Sequence, residues 1–172
     1  MGEYQRLTHE FPPVYDENSR ILILGSFPSA RSRQQQFYYG HPQNRFWKVL
    51  YAVTVPEGER VPESVPARKA FLLAHHIALW DVIAQCDIIG SSDASIRNVV
   101  PNDLRLILDA APIRQIYVNG AAAARLFERY QRDVCGRDAV RLPSTSPANA
   151  AWSLERLTAA WQCVGDYLKE ES

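Results

Sequence analysis

The chain has 172 residues, 47% of them apolar and 22% charged, which suits one domain with a proper core and an ordinary globular composition. Its 19 basic and 19 acidic side chains leave a formal charge of zero, which argues against coating nucleic acid by bulk electrostatics. No apolar run approaches the about 18 residues of a membrane helix, and the first residues lack the basic-then-apolar pattern of a signal peptide.

Met1 to Arg20 reads as irregular, with residues 1–19 as an arm whose Phe11-Pro12-Pro13 packs against the body. Arg20 to Leu24 is a buried strand that breaks at the turn-forming loop Gly25-Ser26-Phe27-Pro28-Ser29. Gln43 to Val53 has helical spacing, with Phe46, Trp47, Leu50 and Tyr51 on one side. Val55 to Val65, with two prolines and a glycine, is a loop. Pro66 to Ala74 is a helix with Pro66 in its first turn. Ile77 to Ile83 is a strand followed by a turn. Cys86 to Asn98 reads as a long polar connection of the kind that often carries function. Pro101 to Ala110 is a helix, Arg114 to Val118 a strand, and Ala121 to Tyr130 an alanine-rich helix. Ala139 to Leu142 is a short strand, and a last helix runs from about Ala151 to Leu168.

Alternating strands and helices imply an α/β protein with a mainly parallel sheet covered on both faces. Exit loops of parallel strands emerge on one side, so Gly25–Ser29, Asn119-Gly120 and Ser144–Asn149 are expected together at the carboxyl edge, where open α/β folds bind ligands. Tyr38, Tyr39, His41, Asn44 and Arg45 follow the first loop, and these types suit a flat base and a phosphate. Each also has a plain structural reading. Gly25 and Pro28 can make a tight turn, Asn44 can cap the following helix, and Asn119, Ser144 and Ser146 can serve turns or caps. Arg31, Arg33, Arg45 and Lys48 are either solvated charges or one basic face. Phe46, Trp47 and Tyr38 are expected in the core or the pocket wall. Asp81 is expected as a buried structural anchor and Asp93 as a residue that shapes the pocket. The chain lacks GxSxG, a P-loop, GxGxxG and HxxxH, so neither a metal nor a cofactor is expected. Cys86, Cys135 and Cys163 form no CxxC pair and read as scattered thiols of a cytoplasmic protein.

GSFPS followed by FYYGHPQNRFWKVL, with LPSTSPAN before the last helix, resembles the uracil-DNA glycosylase superfamily. Within it the resemblance is strongest to the hypoxanthine-DNA (DNA-deoxyinosine) glycosylases; the mismatch-specific uracil-DNA glycosylases share HPxNRFWKV. The likeness spans about Arg20 to the final helix. It implies a three-layer α/β/α domain with a short central parallel sheet and a DNA groove across the strand ends. It also implies a monomeric, monofunctional enzyme, without cofactor, that hydrolyses the N-glycosidic bond of hypoxanthine, and secondarily of uracil, in DNA. Asn44 and Asn119 match the positions thought to carry the chemistry. Tyr39 matches the aromatic that stacks on the flipped base, with Gly25, Ser26, Phe27, Pro28 and His41 completing the base pocket. Ser144, Thr145, Ser146, Pro147, Ala148 and Asn149 match the loop that enters the minor groove, and Arg45 is expected at the DNA beside it.

Two departures matter. Phe27 stands where relatives carry a water-holding asparagine or aspartate, so either the chemistry rests on other residues or the chain is a non-catalytic nucleic-acid-binding module. A mismatch-specific enzyme for G:U or G:T pairs and a nucleoside hydrolase are the other readings. Ser144 replaces a histidine or asparagine, and Ala148-Asn149 lies where relatives have a leucine wedge. A smaller wedge fits weakly paired or single-stranded targets, where flipping costs least. Asparagines suit the reaction because the base leaves with negative charge that N–H donors stabilise. An asparagine carbonyl can also orient water, and the amide can read a purine edge.

Overall fold

A computed structural model describes residues 2–55 and 60–170. The central sheet has four parallel strands in the order β3-β2-β6-β7: β2 (Ile21–Gly25), β3 (Ile77–Asp81), β6 (Gln115–Asn119) and β7 (Val140–Leu142). An interior parallel strand must be apolar on both faces, and every residue of β2 is buried. β3 is the edge strand, and the arm covers it: Val14 and Leu79 exchange backbone hydrogen bonds of 3.0 and 2.9 Å. Unpaired strand edges invite association, and such covering removes the risk.

A second, antiparallel sheet has the order β1-β4-β5, from β1 (Tyr4–Thr8), β4 (Ile83–Ile89) and β5 (Arg97–Pro101). It corrects three expectations. Tyr4–Thr8 is a strand within a segment expected to be irregular, and Cys86–Asn98 is the end of one strand and the start of another around a short turn. Pro101 ends β5 and does not open a helix. The two outer strands β1 and β5 are mostly exposed, so they carry no apolar alternation for a sequence pattern to reveal. Only β4 alternates, with Cys86 and Ile88 buried and Gln85 and Asp87 accepting from Arg6 on the outer face. Burial pushes the Cys86 thiol up to about 11, which keeps it inert.

Six-residue α1 (Ala30–Gln35), unforeseen in the sequence, follows the first loop, capped by Ser29 accepting from Ser32 N. α2 (Phe46–Thr54) and α3 (Val65–Ala74) come next, the latter capped by Ser64. The expected loop at Val55–Val65 falls in part outside the described residues. α4 (Arg105–Leu108) is one turn long because Asn102 is drawn away to donate to the carbonyls of Asp81 and Ile83, and Asp103 accepts from Arg105 N. α5 (Ala121–Tyr130), short α6 (Arg132–Cys135) and α7 (Leu154–Glu170) complete the three layers. No helix among the described residues is long and apolar enough to cross a membrane.

α2 and α7 pack on each other, with Phe46 edge-on to Trp161 at 5.8 Å. Gly165 permits this approach, since a Cβ there would overlap the Val53 carbonyl oxygen. Gly165→Ala is therefore expected to force the two helices apart and cost about 1–3 kcal/mol. The measurement is the urea unfolding midpoint; an unchanged midpoint would show that the pair separates freely.

Candidate active site

A cavity of about 340 Å³ opens at the carboxyl ends of the parallel strands. The loop after β2, the segment Tyr38–Asn44, the end of β6 and the Ser144–Ala148 loop all line it. The topology thus brings together the three expected loops and the aromatic run. The turn before β5 joins them: Ser26 Oγ donates to Asp93 Oδ1 at 2.9 Å, and Ala30 N donates to Ser91 Oγ at 3.0 Å. Desolvation at the cavity wall raises the Asp93 carboxyl above the usual range, opposed by the Ser26 hydrogen bond and reinforced by the Asp81 charge. Asp93 lines the cavity beside the Ser26 hydroxyl.

Asn44 and Asn119 are joined through one residue. Asn119 Nδ2 donates to Thr145 Oγ1 at 3.0 Å, and Thr145 Oγ1 donates to Asn44 Oδ1 at 2.9 Å. Asn119 Oδ1 accepts from Thr145 N at 3.1 Å, and Asn44 Oδ1 also accepts from Phe46 N at 2.9 Å. The backbone N–H groups can only donate, so both amide orientations are set. Asn44, one residue before the N-cap Arg45, thus satisfies the first N–H of α2, and that contact aims its nitrogen's two donors elsewhere. Its carbonyl oxygen has both lone pairs engaged and has none left for water. Asn119 keeps one lone pair.

Thr145, expected at the DNA, is fully buried, and its side chain faces the two asparagines. The loop around it is stiff. Ser144 Oγ accepts from Ser146 N, Ser146 Oγ accepts from Ala148 N, and Asn149 Nδ2 donates to Ser144 O. Asn149 is thereby turned inward, and Ala148 is left as an exposed tip beside Pro147. Arg45, also expected at the DNA, instead donates to the carbonyls of Ser146, Asn149 and Trp152. Its two terminal nitrogens stitch the loop to the start of α2 and are engaged within the protein, while Nε is buried without a partner.

Tyr39 stacks on Phe46 with ring centroids 3.9 Å apart. Its backbone has φ 51°, a left-handed turn that carries the ring to the cavity wall. Its hydroxyl is buried and makes no well-formed hydrogen bond. His41 Nδ1 accepts from Gln43 N at 3.1 Å, which puts the ring proton on Nε2. Phe27 is buried and edge-on to His9 at 6.2 Å. Tyr38 is buried in the wall and donates to Pro12 O, and Trp47 packs inward as expected. Asp81 is buried, as expected of an anchor, and it also lines the cavity. Its partner is His9, whose Nε2 lies 2.8 Å from Asp81 Oδ2. His9 carries no motif and could be found only through the fold. Among the described residues no group of three or more His, Cys, Asp or Glu is placed to hold a metal.

The sequence profile of the uracil DNA glycosylase superfamily matches residues 12–166. The chain is 38% identical to a protein of Methanosarcina acetivorans named hypoxanthine DNA glycosylase, over 90% of this chain and 95% of that one. A protein of the same name from Methanosarcina barkeri is 34% identical over 88% and 93%. A solution NMR structure from Methanosarcina acetivorans, provisionally assigned as a uracil DNA glycosylase, superposes with a TM-score of 0.77 at 35% identity, covering 92% of this chain and 96% of that one. A profile match over most of the chain, relatives above a third identical and the shared three-layer fold lead to one conclusion: the chain belongs to the uracil-DNA glycosylase superfamily.

Proposed function

We propose that this protein is a monofunctional DNA glycosylase that releases deaminated bases, hypoxanthine first and uracil second, by hydrolysing the N-glycosidic bond. The observation that carries the reading is the Asn119–Thr145–Asn44 chain at the cavity wall. It presents the unpartnered amide donors of Asn44 to a departing base and keeps one Asn119 lone pair for the attacking water. Bond breaking makes the sugar electron-poor and the base anionic, so donors at the base lower the barrier. Water then needs orientation more than deprotonation. On this reading the water-holder has left the third motif position, where Phe27 packs on His9, and Asn119 holds the water. Gly25, Ser26, Pro28, Tyr39 and His41 form the remaining base pocket.

No lysine lines the cavity among the described residues, which favours hydrolysis over Schiff-base chemistry. The loop Ser144–Asn149 is the DNA-facing element, with Ala148 as its tip and Arg45 holding it from behind. The names of the two curated relatives favour hypoxanthine. The three unpaired cysteines favour a cytoplasmic, reducing setting, and the protein acts as a monomer.

The test uses single- and double-stranded oligonucleotides with one deoxyinosine or one deoxyuridine, scored for alkali-labile breaks. Breaks at deoxyinosine support the reading. Breaks at deoxyuridine opposite guanine alone would make it a mismatch enzyme, and binding without breaks would make it a binding module. In the same assay Ala148→Leu is expected to raise the duplex rate about 3–10-fold, because a wedge offsets part of the few kcal/mol of base flipping. The single-strand rate is expected to stay unchanged.

A further inference from the structure

We propose that Asp81 and Tyr39 form the base-reading edge of the cavity, the Asp81 carboxylate accepting the ring N–H of a lactam base and the Tyr39 hydroxyl donating to the neighbouring ring carbonyl. This inference rests on the glycosylase reading and names how that site tells a deaminated base from its parent.

Asp81 is the last residue of β3, in register with Gly25 at the end of β2. Its side chain is 5% exposed, and that of His9 is 2% exposed. His9 Nε2 donates to Oδ2, and the rings of Phe11, Phe27 and Tyr38 surround His9. One carboxylate oxygen is therefore engaged from behind and the side chain is locked. Oδ1 remains. A Cβ built on Gly25 would stand 2.5 Å from Asp81 Oδ1 and 2.9 Å from Tyr39 Oη. The two oxygens thus flank one small space, which exists because residue 25 has no side chain.

Both atoms lack what the other type of partner would supply. Tyr39 Oη is buried and makes no well-formed hydrogen bond, the Asn119 amide being its neighbour on one side, and buried polar groups left poorly paired are costly. Burial and the nearby Asp81 charge push the Tyr39 phenol well above its ordinary range, so it stays protonated and can donate. Asp81 Oδ1 can only accept. An acceptor and a donor side by side complement a lactam edge, in which a ring N–H adjoins a carbonyl. Hypoxanthine presents that edge at N1 and C6, and uracil at N3 and C4. Adenine and cytosine present the reverse, a bare ring nitrogen beside an amino group. The bare nitrogen would face the carboxylate lone pairs, leaving a buried charge unpaired, and such sites discriminate strongly. The pair therefore sorts deamination products from adenine and cytosine. It does not sort hypoxanthine from guanine, which shares the lactam edge.

The test compares oligonucleotides carrying deoxyinosine or N1-methyl-deoxyinosine, with wild type, Asp81→Ala and Tyr39→Phe, alongside thermal unfolding of each protein. Wild type is expected to release the methylated base at least about 100-fold more slowly, because methylation removes the N–H and fills the space. Asp81→Ala is expected to lose at least about 100-fold on deoxyinosine and to bring the two substrates to nearly equal rates. Tyr39→Phe keeps the stacking ring and is expected to lose about 10-fold on deoxyinosine, mainly through KM. Equal rates of wild type on both substrates would overturn the assignment while leaving the glycosylase intact. So would an Asp81→Ala enzyme that folds and slows equally on both. If wild type cuts neither substrate, the glycosylase reading fails and the base-reading edge with it. Should Asp81→Ala unfold, the wild-type comparison and Tyr39→Phe still decide.

Discussion

Asn44→Ala is expected to slow hypoxanthine release by about 10²–10³-fold, the usual cost of removing one preorganised donor from a developing anion. The effect comes from two sources. The alanine removes the two amide donors that face the cavity. It also leaves Phe46 N and the Thr145 hydroxyl without their shared acceptor, a loss of about 1–3 kcal/mol in stability. Asn44→Asp separates the two. Aspartate keeps the oxygen that caps α2 and receives the Thr145 proton, but replaces the donors with negative charge. It should be as slow as alanine in single-turnover assays while unfolding at nearly the wild-type urea midpoint. A fast Asn44→Asp enzyme would show that the cap, and not the donors, is what catalysis needs.

Thr145→Val is expected to lower the rate about 10–10²-fold with little change in shape. Valine fills the same buried volume and deletes the hydroxyl that both accepts from Asn119 Nδ2 and donates to Asn44 Oδ1. Each amide is then free to turn, and their relative placement is lost. Thr145→Ser retains the hydroxyl and should recover most of the rate, at the expense of a small cavity. A valine enzyme with wild-type kinetics would mean that the backbone alone holds the two asparagines. The readout is kcat with deoxyinosine in single-stranded DNA, since substrate affinity should change less than turnover.

These expectations rest on contacts between residues 101 and 26 positions apart in the chain. Each motif is a short run in the sequence, and its residue types already point to amide chemistry. Their division of labour is not legible there. Asn44 reads equally well as a helix cap or as a donor; the structure commits its oxygen to Phe46 N and the Thr145 hydroxyl, and the donor role proposed for its nitrogen is compatible with that. Arg45 illustrates the reverse. A cation beside aromatic residues reads as a phosphate contact, yet three carbonyls of a distant loop claim its two terminal nitrogens.

The sequence by itself determined the parallel core. Ile21–Gly25, Gln115–Asn119 and the helix Ala121–Tyr130 follow from continuous apolar runs and helical spacing, which are local patterns read by local forces. It also determined the family, through two motifs near opposite ends of the chain, and hence the edge at which the cavity opens. Only the tertiary structure decided the second sheet, since β1 and β5 are held by backbone pairing to β4 and bury too little to leave a pattern. Only it decided that Thr145 lies inside, that Asn149 turns back on its own loop, and that His9 from the arm meets Asp81 from β3. Hydrogen-bond pairing and the burial of polar groups depend on which segments the fold brings together, and that information is spread over the whole chain.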